Sequence, residues 1–141
     1  MIKGKLIKAL AVLTLLIASM TLNAQTTQDD WGHLIAAISQ VESGNNPNSV
    51  SGKHVGVLQI SPIAVDECNR IIQRKKYTYK DRYSREKSVE MFNIIQNFYN
   101  KERNIEKAIR LWNGGPNYSV KATEGYFKKV KKVYDNLKGK Q

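Results

Sequence analysis

WGHLIAAISQVESGNNPNSVSGKHVGVLQISP, residues 31–62, is the stretch whose reading decides the fold. Trp31, Leu34, Ile35 and Ile38 recur at the three-and-four spacing of one helix face. Glu42 falls on the same stripe, so a carboxylate stands where the apolar face should continue. Ser43-Gly44-Asn45-Asn46-Pro47 is a dense breaker cluster, and it predicts a helix end within a residue or two of Glu42. A carboxyl group on the apolar side of a helix end, beside a loop, is partly desolvated and within reach of a ligand. Desolvation favours its protonated form, which is what a general acid requires. On position alone a solvated helix-end glutamate remains the alternative.

Residues 45–60 are rich in Asn, Gly and Ser and predict a long loop or a short hairpin that ends in the apolar run Val57-Leu58-Gln59-Ile60. Gln59 is the polar interruption of that run, and Gly56 fits a place where two stretches of backbone pass closely. Ser61 and Pro62 read as N-cap and first helical residue, with Asp66 and Glu67 as favourable early charges and a helix end near residues 74–76. Tyr77, Tyr79 and Tyr83 mark an irregular segment, read as packing a loop onto the core, with stacking on a ligand as the alternative. Ser84 should cap a central core helix from Arg85 to about Asn100. Asn104 should cap the next, carrying Ile105, Ala108, Ile109 and Trp112 and ending at Asn113-Gly114-Gly115-Pro116. The last helix, about Val120 to Leu137, places Tyr126, Val130, Val133 and Leu137 on the core face and Lys128, Lys129, Lys131 and Lys132 toward water.

The chain begins with Lys3, Lys5 and Lys8, an apolar run from Ala9 to Ala18, and a small residue at Ala24, the pattern of a secretory signal peptide over residues 1–24. An uncleaved anchor is the alternative, but the run is short for a spanning helix. Residues 25–141 then form one domain with no internal repeat or linker, exported to a periplasmic or extracellular compartment without stable membrane insertion. Removing residues 1–24 takes away three lysines and no acids, which leaves +8 of the formal +11. Such a surface suits anionic partners. Nucleic acid is disfavoured, because the lysines concentrate on the last helix and no nucleic-acid motif is present. Cys68 has no second cysteine to pair with and reads as a small buried residue. Cys68 with His33 and His54 makes no metal-ligand spacing, and no cofactor is implied.

Three segments resemble the lytic transglycosylase catalytic domain, a lysozyme-like family that cleaves bacterial peptidoglycan. The first is Glu42-Ser43 with Asn46-Pro47, Ser51-Gly52, Gly56 and Val57-Leu58-Gln59-Ile60. The second is Trp112-Asn113-Gly114-Gly115-Pro116, similar to the family's Tyr-Asn-Ala-Gly-Pro loop. The third is Thr123 with Tyr126. They occur in the family's order and span most of the chain. Two departures stand out: Lys53-His54 replaces the family's Gly-Ala, and Gly114 its usual Ala.

The resemblance implies a mainly α, lysozyme-like α+β fold. It implies Glu42 as the catalytic acid and base, with Ser43, Ser51, Gln59, Asn113, Gly114, Gly115 and Tyr126 as substrate-binding residues. The implied reaction breaks the bond between N-acetylmuramic acid and N-acetylglucosamine with formation of a 1,6-anhydro ring. A single carboxylate suits this, because ordinary glycoside hydrolysis uses two. Asp66, Glu67 and Asp81 are weak candidates for a second. A muramidase on the same fold and a non-catalytic glycan-binding or envelope-complex module are the rival expectations. Peptidoglycan strands are the expected partner. An envelope-spanning secretion or conjugation apparatus is a further one, suggested only by small size and the lack of a wall-targeting domain.

Overall fold

The computed structural model describes residues 30–140, so the expected signal segment lies outside the described residues. The chain divides into two units, residues 1–32 and His33–Gln141; of the first, only the start of α1 is described. Helix α1 covers residues 30–43 of the described chain and buries Leu34, Ala37 and Ile38. Gly44 and Asn45 follow at φ 61° and 65°, and their N–H groups donate to the Gln40 and Ser39 carbonyls. Two successive left-handed residues turn the chain back immediately after Glu42, as the breaker cluster predicts.

The hairpin is minimal. Strand β1 (Val50–Ser51) pairs antiparallel with β2 (His54–Val55), and Val55 also bridges to Ile60. Four helices follow. They are α2 (Pro62–Ile71), α3 (Arg85–Tyr99), α4 (Ile105–Gly114) and α5 (Val120–Lys138), with a 3-10 segment at Tyr79–Tyr83. The side chains of Ser61, Ser84, Asn104 and Ser119 each accept an N–H of the first turn that they cap. Helix α2 packs on α3, and α4 on α5. The fold is mainly helical with one small sheet, which is the expected lysozyme-like class.

The core gathers Leu34 and Ile38 of α1, Val57, Leu58 and Ile60 of the loop, Met91 and Phe92 of α3, and Ile109 of α4. Cys68 lies in it, fully buried, and its thiol donates to the Met91 carbonyl. Burial pushes that thiol up to about 12. Arg110 is also buried, and it ties α4 to α5. It reaches the Val120 carbonyl, Thr123 Oγ1, Glu106 and Glu124, with Phe127 under its guanidinium at 4.3 Å.

One boundary departs from expectation. Helix α2 stops at Ile71 rather than near residue 74, and Gln73 adopts φ 55°. Asn69 explains the early stop. Its Oδ1 accepts the N–H groups of Lys76 and Tyr77, and its Nδ2 donates to the Tyr77 carbonyl. These three bonds fold the chain back over the helix end.

Candidate active site

A cavity of about 500 Å³ opens between the end of α1, the hairpin, and helices α2, α3 and α4. That volume lies within the range of small-ligand sites. Glu42 lines it, together with Ser51, His54, Gln59, Trp112, Asn113, Gly115 and Pro116. Ile60, Ala64, Ile95 and Leu111 supply apolar wall. The second and fourth helical segments of the chain thus meet the Glu42 corner across one space.

Glu42 is half-buried at the last turn of α1. Tyr126 of α5 donates its hydroxyl to Glu42 Oε1 at 2.7 Å. Burial raises the Glu42 pKa, and it outweighs the Tyr126 bond and the nearby His54, both of which pull it down. Tyr126 is itself raised well above the ordinary phenol value, first by burial and then by the Glu42 charge, so it stays a proton donor. The two residues sit 84 positions apart in sequence, and this bond joins α5 to the end of α1.

The eight expected site residues divide. Glu42, Ser51, Gln59, Asn113 and Gly115 share the cavity wall. Ser43, Gly114 and Tyr126 are not on it. Ser43 Oγ donates to the Val57 carbonyl at 2.8 Å and to the Ser39 carbonyl, so it fastens the loop to α1. Gly114 is a packing residue: a Cβ there would lie 2.6 Å from Tyr118 Cβ and 2.9 Å from Thr123 Cγ2. Tyr126 contacts the acid rather than the open space. Gln59 lines the cavity, but its amide nitrogen donates to the Gly56 and Ser49 carbonyls. It holds φ 49° and clamps the loop from inside.

Other wall residues were not legible as such. Trp112 donates its indole N–H to the Leu58 carbonyl at 3.2 Å, and its ring lies 4.9 Å from that of Phe92. His54, at a position where the family carries a small residue, faces the cavity from β2. Glu67 and Tyr99 line it from α2 and α3. Glu67 differs from Glu42 in its surroundings. Arg70 donates to both of its oxygens and Tyr99 adds a third donor, so its pKa is lowered, chiefly by Arg70. None of Tyr77, Tyr79 and Tyr83 reaches the cavity. Tyr77 is buried with its hydroxyl on Glu90, and Tyr79 bonds Asp66. Asp81 accepts the Thr78 N–H and caps its own turn. Among the described residues no group of histidine, cysteine and acidic side chains could hold a metal ion.

A small helical domain with a glutamic acid held at the wall of a sugar-sized cavity belongs to the lysozyme-like class. A family model, the transglycosylase SLT domain, matches residues 19–136, and the chain belongs to that family. The family is of the peptidoglycan-cleaving, lytic transglycosylase type. No curated protein and no solved structure was found to match the chain. Among the described residues no helix is long and apolar enough to cross a membrane.

Proposed function

We propose that this protein is a peptidoglycan lytic transglycosylase in which Glu42 serves as both acid and base. One observation carries the proposal: the Glu42 carboxyl is half-buried on the cavity wall, raised in pKa by that burial, and bonded among the described residues by the Tyr126 hydroxyl alone. A protonated Glu42 gives its proton to the oxygen bridging N-acetylmuramic acid and N-acetylglucosamine. The acetamido group of the substrate stabilises the positive sugar that is left. The ionised Glu42 then removes the proton of the muramoyl 6-hydroxyl, which closes the 1,6-anhydro ring and restores the acid. No water is consumed.

The Tyr126 hydroxyl stabilises the ionised form between the two steps, because it donates and stays protonated. Asn113 and Ser51 are positioned to bond sugar substituents, and Gly115, at φ 75°, lets backbone approach a ring. Trp112 offers an aromatic face. Glu67 is a poor second carboxylate for water activation. Arg70 engages both of its oxygens and Tyr99 shares one. This supports ring closure over hydrolysis.

We further propose that residues 1–24 direct export and that the enzyme acts on the wall outside the cytoplasm. Digestion of purified peptidoglycan tests the reaction. The expected products carry anhydro ends, lighter by one water than hydrolysis products in mass spectra. Hydrated ends alone would assign a muramidase, and intact strands bound without cleavage would assign a binding module.

A further inference from the structure

Glu67 and Tyr99 face the cavity, but the residue that joins them does not. Arg70 lies outside the wall, with its side chain 58% exposed. Its Nε and Nη2 fork onto the two Glu67 oxygens at 2.7 and 2.6 Å, and Nη2 also reaches the Tyr99 hydroxyl. Two donors of the guanidinium are therefore fixed in the plane of a carboxylate, while Nη1 has no acceptor among the described residues. Phe98 lies under the guanidinium at 5.4 Å and meets Tyr99 edge-on at 4.8 Å. Ile63, four residues before Glu67 on the same face of α2, is 71% exposed, and Phe98 is 45% exposed. An oriented guanidinium edge, on the same helix as exposed Ile63 of the cavity wall and over exposed Phe98, thus continues the cavity outward over α2 and α3.

We propose that this shelf is a binding site for the peptide stem of the wall polymer, with Arg70 Nη1 donating to a stem carboxylate and Ile63 and Phe98 covering its aliphatic part. The proposal rests on the reading of the cavity as a glycan site. A carboxylate of the ring's own lactyl group would stay with the sugar inside the cavity. Arg70 is not among the residues that line the cavity, so a group that meets it extends from the ring toward the shelf. Glu67 neutralises Arg70, so the shelf attracts little by net charge and reads direction instead. Its contribution is therefore to substrate choice.

The test compares two forms of one polymer with the full chain: strands bearing peptide stems, and the same strands stripped by an amidase. Arg70→Gln should lower the ratio of kcat/KM on stem-bearing over stripped strands about 3- to 10-fold, through KM, the worth of one exposed charge-assisted bond. Phe98→Ser should lower the same ratio while leaving both partners of the Arg70–Glu67 ion pair in place. Equal losses on both polymers, or no change in the ratio for either variant, would overturn the shelf. Co-sedimentation of Glu42→Gln protein with and without Arg70→Gln repeats the comparison without turnover, and stem-dependent binding should weaken by the same factor. Wild-type protein that neither cleaves nor binds either polymer would defeat the glycan reading itself. Wild-type cleavage of both, with the ratio unmoved in the variants, would defeat only the shelf.

Discussion

Two corners of this molecule make the same bond and obtain opposite results from it. At Glu42, Tyr126 donates its hydroxyl to the carboxylate at 2.7 Å; at Glu90, Tyr77 does so at 2.6 Å. Glu42 is raised in pKa, whereas Glu90 is held down to about 2. The bond itself pulls both downward. What differs is the rest of the shell. Glu90 keeps about a third of its side chain in water (32% exposed) and has Lys76 Nζ at 2.8 Å and Lys87 Nζ at 3.5 Å. Glu42 has lost water to the end of α1 and the walls around it, and among the described residues only the Tyr126 bond and the weaker pull of His54 oppose that burial. A tyrosine aligns a glutamate; solvent and lysines decide whether that glutamate keeps its proton.

Replacing the two glutamates gives the largest expected contrast. Glu42→Gln should reduce turnover about 10²- to 10⁴-fold, because an amide cannot deliver the proton. It should leave the melting temperature at neutral pH unchanged or higher. The sign follows from the raised pKa: as pH climbs past the ordinary carboxyl range, unfolded Glu42 ionises first, so the wild-type fold loses stability across that window. The glutamine variant lacks this loss. Glu90 has the reverse dependence: its stabilisation is present above the ordinary carboxyl range and is lost as pH falls toward 2. Acid denaturation curves of the two single variants, changing in the same sense, would break the contrast.

Next in size is Gly56→Ala. Gly56 sits at φ 85°, and a Cβ there would lie 1.8 Å from the Arg82 carbonyl oxygen. The loop bearing His54 and Gln59 has to move away, at a cost of about 3 kcal/mol in chemical denaturation. Tyr126→Phe comes third. It removes a bond worth about 1 kcal/mol, and the Glu42 pKa should rise further, which moves the alkaline limb of the activity profile to higher pH. A limb that moves to lower pH would mean that the hydroxyl does not act on Glu42. The smallest effect belongs to Tyr77→Phe, which should change turnover by less than about twofold while reducing the stability present above the ordinary carboxyl range and flattening its loss toward acid.

The acid corner was legible because two sequence signals coincide at Glu42. The apolar period of α1 reaches it, and the breakers begin immediately after it. The caps Ser61, Ser84 and Asn104 were legible for a similar reason, since each is a local choice made within one turn. The shelf was not. Glu67 looked like a charge placed for a helix N-terminus, and only the approach of α3 gives it Tyr99 and a cavity wall. The early end of α2 was hidden too, because Gln73 through Lys76 contains no breaker and a side chain, Asn69, does the stopping. Ser43 and Gly114 stand inside the motif that resembles the family, yet they serve as a fastening and a packing point. A motif read as a string does not separate residues that touch the cavity from those that shape the backbone around it.

Cys68 lies between α2 and α3, with its thiol held in the protonated form up to about pH 12. Sulfur chemistry runs through the thiolate, so the folded chain is inert toward disulfide exchange and mild oxidants. Its single vulnerable interval is the time before those two helices close. The rate at which a thiol reagent modifies Cys68 thereby becomes a clock for how often the α2–α3 pair comes apart.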